Sequence, residues 1–338
     1  MLDGKKLYKK PGGGLMMKVD FAEYTFKGKD GLDIYGSRYE INEPEGIVLG
    51  LHGMAEHRKR YDEFANILNN AGYSFYIHDH RGHGETALEN DLPLGHFADE
   101  NGWEKVIGDI KKHRELIAKR NSEGIPVFLF GHSMGSFASR DYISRYSQDF
   151  SGTILSGAAK VEKTELFLLK LFIGLEKLFK GENKKSTIVE NLIFSSNNKS
   201  FNNTETPHDW LSRNSEITKK YHKDNRCGFS CTVKFYDDFY EGMKNTAYLE
   251  NYKSIPDNFL IIFLSGEKDP VGGKDIVDLA KKYKKAGLKD VEYKLYPQAR
   301  HELINEYNKD DFFEDVVDWL DKKKISLKKQ EDKGINKK

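Results

Sequence analysis

IVLGLHG (47–53) is apolar at nearly every position and ends in a turn, and NFLIIFLSG (258–266) is the most strand-like run in the chain. A strand wetted on one face alternates apolar with polar residues, so an apolar run without alternation suits a strand covered on both faces. SFYIHDH (74–80), VFLF after Pro126, GTILSG (152–157) and VEYKLYP (291–297) read as further strands. Helical patterns lie between them at 59–71, 102–120, 136–147, 274–286 and 310–323, the first stopping at Gly72 and the fourth at Gly287. EYTFKG and LDIYGSRYE read as an opening hairpin. Strands alternating with helices predict an α/β fold, a mostly parallel sheet flanked by helices.

The alternation breaks near residue 160 and resumes near 250; the chain between is helix-like and polar, with Asn- and Lys-rich connections. This predicts a helical cap, 161–247, inserted between two strands of a core formed by 17–160 and 248–326. Residues 1–16 read as a flexible leader and the charged 327–338 as a disordered tail. Lys and Arg total 54 against 53 Asp and Glu, so the charge balance gives a nucleic-acid partner no support. The N-terminus has no apolar core of a signal peptide, and no run approaches the roughly 20 apolar residues that span a bilayer. Two cysteines, Cys227 and Cys231, fit a reducing compartment, and C-x3-C without further ligands predicts no metal site. A cytoplasmic protein is expected. HDHRGHGET (78–86) gathers three histidines and Asp79, but Gly82 and Gly84 straight after a strand read as a structural turn. The glycines at 12–14 follow no strand, so they form no dinucleotide fingerprint.

In a parallel sheet, chemistry collects at the carboxyl ends of the strands. Ser133 follows VFLF within Gly-His-Ser-Met-Gly (131–135). Gly131 and Gly135 lack Cβ atoms, which permits a sharp turn and close packing of the next helix on the sheet. Asp269 follows the 258–266 strand, and His301 follows the 291–297 strand. Ser, Asp, His in that order, the last two after the final strands, is the order of an α/β-hydrolase. Ser133 is the expected nucleophile, His301 its base and Asp269 the group that orients the histidine. Glu267 is a rival to Asp269; the shorter side chain of Asp269 suits a fixed hydrogen bond at a strand end. The backbone N–H groups of Met134 and of Met54, in the turn after 47–53, are the expected oxyanion donors.

The stretches LHGMAEHRKRYDEFANIL, HDHRGHGET, LFGHSMGSFASRDYI, TILSGAA, LSGEKDPVG and YPQARHELINE run from about residue 22 to 325. Together they resemble the monoacylglycerol lipase and lysophospholipase group of α/β-hydrolases, especially bacterial members. The segment TPHDWLSRNSEITKKYHKDNRCGF is similar to the same group. The resemblance implies hydrolysis of carboxylic esters, commonly monoacylglycerols or lysophospholipids, through an acyl-enzyme and without cofactor or metal. Met54 stands where many relatives have a small residue, so its side chain is expected to narrow the acyl side of the pocket.

VEKTELFLLKLFIGLEKLFK (161–180) opens the cap. On a helical projection, Lys163, Lys170 and Lys177 share one edge and Phe167, Leu168, Leu171, Phe172, Leu175, Leu178 and Phe179 fill the opposite face. Leu166, Leu169 and Ile173 fall on the polar side. An arc this wide predicts a lid that lines an acyl pocket through Leu169, Phe172 and Ile173 and touches lipid surfaces; a helix packed within the cap is the plainer alternative. A small lipid or ester substrate is the expected partner, and the oligomeric state stays open. A small-ester carboxylesterase has the same triad. A proline-aminopeptidase-like amidase needs a cap carboxylate for the substrate amine, such as Glu205, Asp209 or Glu216. A non-catalytic binding scaffold would ordinarily lack part of the triad.

Overall fold

The computed structural model describes residues 19–335; the expected leader, 1–16, lies outside them. An antiparallel hairpin, β1 (Val19–Lys27) and β2 (Asp33–Ile41), opens the fold. β3 (Gly46–Leu51), α1 (Asp62–Asn70), β4 (Tyr73–His78), a short α2 (Gly84–Leu88), α3 (Gly102–Arg120), β5 (Val127–His132), α4 (Met134–Tyr146) and β6 (Gly152–Ser156) follow. Helices α5 (Lys163–Lys180), α6 (Thr187–Phe194), α7 (Ser215–Lys223) and α8 (Val233–Ala247) then intervene. β7 (Leu260–Gly266), α9 (Asp275–Lys285), β8 (Val291–Tyr296) and α10 (Lys309–Ile335) complete the order.

The 8-stranded sheet runs β1-β2-β4-β3-β5-β6-β7-β8. β2 is antiparallel to both of its neighbours, and every pairing from β4 to β8 is parallel. Two apolar cores sandwich it. In β5, Val127 and Leu129 face the core shared with α3, α4, α8 and α9, while Phe128 and Phe130 face the core built on α1 and α10. β7 splits the same way, with Ile261 and Phe263 on one side and Leu260, Ile262 and Leu264 on the other. This is why the central strands carry no polar alternation. Each large apolar side chain so buried stabilises the fold by about 1.5–3 kcal/mol, whereas an unpaired polar residue there would carry a desolvation cost.

Two expectations need correction. The helix after Ser133 starts at Met134 rather than 136. The final helix continues to Ile335, taking in most of the 327–338 segment expected to be disordered. Phe312, Phe313, Val316, Trp319 and Leu320 anchor its first half in the core. The Lys-, Glu- and Gln-rich remainder then propagates the helix, with no Gly or Pro before Gly334. Among the described residues no helix is long and apolar enough to cross a membrane.

Candidate active site

The carboxyl ends of β3, β5, β6, β7 and β8 lie along one edge of the parallel sheet, which brings residues 52–57, Ser133, Gly157, Asp269 and His301 into one region. Ser133 joins β5 to α4 with φ 52 and ψ −116, a backbone that non-glycine residues rarely adopt. Its N–H donates to Ser156 O on β6 at 2.9 Å. The glycines on either side allow the strain. A Cβ on Gly131 would stand 2.3 Å from Ser139 Oγ, and one on Gly135 would stand 2.2 Å from Leu51 O. Only bare Cα atoms let α4 sit this close to β3 and β5. Met134 is the first residue of α4, so its N–H has no partner within the helix.

Asp269 and His301 are both buried. His301 Nδ1 lies 3.0 Å from each carboxylate oxygen of Asp269. Val271 N–H donates to Asp269 Oδ1 at 2.8 Å and Ser265 Oγ to Oδ2 at 2.9 Å. Burial works to raise the Asp269 carboxyl, but His301 and these donors outweigh it and hold it below the usual range. Burial likewise works to lower His301, and Asp269, then Glu302, overcome it and raise the imidazole. With Nδ1–H donating to the carboxylate, Nε2 is left as the basic nitrogen, and it is buried without a hydrogen-bond partner among the described residues. Glu267 is half-buried and accepts the Gln298 N–H at 3.4 Å. Asp269, not Glu267, is the carboxylate on His301.

The turn after β3 is fixed by its own polar groups. His52 Nδ1 donates to Gly53 O at 2.8 Å, and Gly53 N–H donates to Glu56 Oε1 at 2.5 Å. Met54 N–H makes no hydrogen bond among the described residues. Below the turn, Arg60 joins two buried carboxylates: Nη1 reaches Glu56 and Glu302 at 2.6 Å each, and Nη2 reaches Glu302 at 2.7 Å. His132, also buried, has its ring 4.8 Å from that of His301. Burial first, then His301, push it down to about 3, so it is neutral.

Ser133, His301, Met54 and Met134 line one cavity of about 720 Å³, within the usual range for a small-molecule site. Leu169 lines it too, but Phe172 and Ile173 do not. The correction has a packing cause. Leu166, Leu169 and Ile173 form the buried stripe of α5, at helical spacing, against the core that includes α8. Ile173 is 1 % exposed within that core, and Phe172 sits half-buried at its edge. Of the broad apolar arc, Phe167, Leu171, Leu175, Leu178 and Phe179 instead face outward, while Leu168 reaches the cavity. Glu205, Asp209 and Glu216 stay outside the lining, which includes Glu165 and Glu190. Glu205 pairs with Lys219 at 2.6 Å, Asp209 caps Glu205 N–H and Thr206, and Glu216 is exposed.

Trp210 went unmarked in the sequence, although its ring lies 5.1 Å from that of His301. Glu302, adjacent to His301, and Arg60, which pairs with Glu56, were likewise missed, since no local pattern announces that Arg60 meets Glu302. Among the described residues one side-chain cluster has metal-ligand chemistry: His57, Asp224 and Cys227 bring donor atoms within 4.8 Å of one another. Arg226 already takes both Asp224 oxygens, Nε at 3.0 Å and Nη2 at 2.8 Å, and burial pushes the Cys227 thiol up. The carboxylate there already has its cation.

The family described as "Serine aminopeptidase, S33" matches residues 42–308. Monoacylglycerol lipase from Mycolicibacterium smegmatis is 26% identical over 316 residues, 90% of this chain and 99% of that protein. Monoglyceride lipase from Rattus norvegicus is 33% identical over a shorter stretch, 33% of this chain and 34% of that protein. The structure of a thermostable carboxyl esterase from Bacillus coagulans, in complex with glycerol, superimposes with a TM-score of 0.82 at 27% identity, covering 90% of this chain and 99% of that one. A serine on a strained strand–helix turn, a buried Asp–His pair in the order of the fold and these matches all agree: the chain belongs to the serine aminopeptidase S33 family and is a serine hydrolase of the α/β-hydrolase fold, similar to the monoacylglycerol lipases.

Proposed function

We propose that the protein hydrolyses carboxylic esters of single-chain lipids, monoacylglycerols or lysophospholipids, with Ser133 as nucleophile, His301 as general base and acid, and Asp269 as its orienting carboxylate. The observation that carries this is the buried Asp269–His301 pair, whose free Nε2 belongs to a residue lining the same cavity as Ser133. Ser133 Oγ attacks the ester carbonyl as its proton passes to His301 Nε2. The tetrahedral oxyanion is met by the N–H groups of Met54 and Met134. Asp269, ionised, stabilises the imidazolium. His301 then gives the proton to the leaving alcohol, and an acyl-Ser133 ester remains. Water, deprotonated by His301, attacks that ester, and the acid leaves as Ser133 recovers its proton.

The lipid assignment rests on the insertion. Residues 161–247 act as a cap over a core made of 17–160 and 248–326. Leu168 and Leu169 from α5, with Phe137, Phe229 and Phe239, give the cavity apolar walls suited to an acyl chain. Outside, Phe167, Leu171, Leu178 and Phe179 are exposed on α5. That surface is suited to transient contact with a lipid aggregate.

A second reading is an aminoacyl amidase. Two carboxylates, Glu165 and Glu190, line the cavity from the insertion, where a substrate amine would need one. Wild type and Ser133→Ala are to be compared on short p-nitrophenyl esters, monoacylglycerols of increasing length, lysophosphatidylcholine and aminoacyl amides. Ser133-dependent turnover that favours long-chain monoacylglycerol or lysolipid is expected. Activity confined to short esters would remove the lipid assignment, and preference for amides would favour the second reading.

A further inference from the structure

Tyr221, in α7 of the insertion, lies 166 residues from the turn after β3, yet its hydroxyl donates to Ala55 O at 2.7 Å. Gly228 N–H donates to the same carbonyl at 2.9 Å. Ala55 itself has φ 52. A non-glycine residue in the left-handed region persists only where its surroundings impose it. On its other side the turn is held by the core: His52 fixes Gly53 O, and Glu56 takes Gly53 N–H. The Met54 N–H, without a partner among the described residues, lies between two fixed points of the turn, the Gly53 carbonyl before it and the Ala55 carbonyl after it. The Met54 N–H shares its peptide plane with the Gly53 carbonyl, and the Ala55 carbonyl, two peptides further on, fixes the far end of the turn, which limits rotation at Met54 and Ala55 between the two.

We infer that Tyr221 is a positioning residue for the oxyanion donor: its hydroxyl, with the Gly228 N–H, clamps the Ala55 carbonyl at the far end of the turn, so that the insertion helps hold the turn that carries the Met54 N–H as well as roofing the cavity. This rests on the reading of Ser133 and Met54 given above. It goes beyond that reading in making the geometry of the catalytic turn depend on the seating of the 221–228 segment. Oxyanion donors act only within a narrow distance of the developing charge, and a misplacement of about 1 Å can cost about 100-fold.

The variant Tyr221→Phe removes one hydroxyl and keeps the ring that packs under Arg60 and against His208, so the fold is expected to survive. Steady-state kinetics on a monoacylglycerol and on a short p-nitrophenyl ester, inhibition by an alkyl boronic acid that mimics the tetrahedral species, and hydrogen exchange of the 52–57 segment form the test. The expected result is a fall in kcat of about 10-fold on both esters, an equal loss of boronate affinity, an unchanged KM and faster exchange at 52–57. Unchanged kcat overturns the inference, and so does a raised KM with kcat intact, which would make Tyr221 a substrate contact only. A Ser133→Ala protein that keeps its activity would instead sink the parent reading, independently of what Tyr221→Phe does.

Discussion

At the sheet edge, Asp269 is buried and takes hydrogen bonds from His301, Val271 and Ser265, whereas on the outer face of α5, Leu178 and Phe179 stand 77 % and 80 % exposed with no polar partner to orient them. The two regions meet at one cavity but are built for different tasks. The edge holds a few polar atoms in a fixed arrangement, because transition-state stabilisation falls off steeply with misplacement. The insertion offers apolar area, which is non-directional and tolerates change. Tyr221 belongs to the insertion by sequence and to the edge by its hydrogen bond to Ala55, so the boundary between the two tasks does not follow the chain.

The comparison breaks most sharply at the edge. Ser133→Ala and His301→Ala are each expected to lower kcat by about 10⁶-fold, with the double variant little worse, since the residues act as a unit. Single-turnover kinetics on a p-nitrophenyl ester would check this; additive losses would mean that the two do not share a step. Asp269→Asn should lower kcat by about 10⁴-fold, because the amide no longer selects the productive tautomer.

Acid separates the regions differently. Burial pushes His52, His78 and His80 well below their ordinary value, His83 down to about 4, and His113 and His132 to about 3. Below about pH 6.5 the unfolded chain protonates these groups and the folded chain does not, so stability rises with pH there. Each contributes up to about 1.4 kcal/mol per pH unit, lost as pH falls from 6.5 toward the folded value. His301 has the opposite sign: its raised folded value stabilises the protein below 6.5, and that share is lost as pH rises through it. Thermal melts at pH 7, 6 and 5 should show a steep fall in Tm, and a flat profile would refute the buried neutral cluster. In kcat/KM the acid limb should lie above the ordinary histidine value of about 6.5, because His301 must be neutral to act.

Smaller effects divide α5 itself. Ile173→Ala is expected to cost about 2–5 kcal/mol by leaving a cavity in the core. Leu178→Glu, on the outer face, should stay within about 0.5 kcal/mol in urea denaturation while weakening binding to phospholipid vesicles. Equal destabilisation by both would erase the distinction between the two faces, and unchanged vesicle binding by Leu178→Glu would end the lipid-surface reading.

Much of this was legible in advance. The strands announced themselves as apolar runs, and α3 lies at 102–120 as its periodicity indicated. Ser133, Asp269 and His301 could be picked out because each follows a strand that local sequence identifies. α5 misled, because a projection shows where apolar residues cluster but not which side has a neighbour. α8 takes the narrower stripe of Leu166, Leu169 and Ile173, and most of the wider arc is left outside. The last helix misled in the other direction: a charged composition reads as tail, although nothing in it stops a helix already anchored at Trp319 and Leu320.

Taken alone, the sequence determined the order of strands and helices, the glycine-flanked turn at Ser133 and the succession of serine, aspartate and histidine along it. These follow from backbone sterics and from side-chain period, which act over a few residues. Only the tertiary structure decided that Asp269 rather than Glu267 meets His301, that Arg60 reaches Glu302, 242 residues away, and that Tyr221 reaches Ala55. Such contacts form between atoms that the chain brings together from far apart, and whether two of them meet depends on how the sheet and helices pack, which no local pattern encodes.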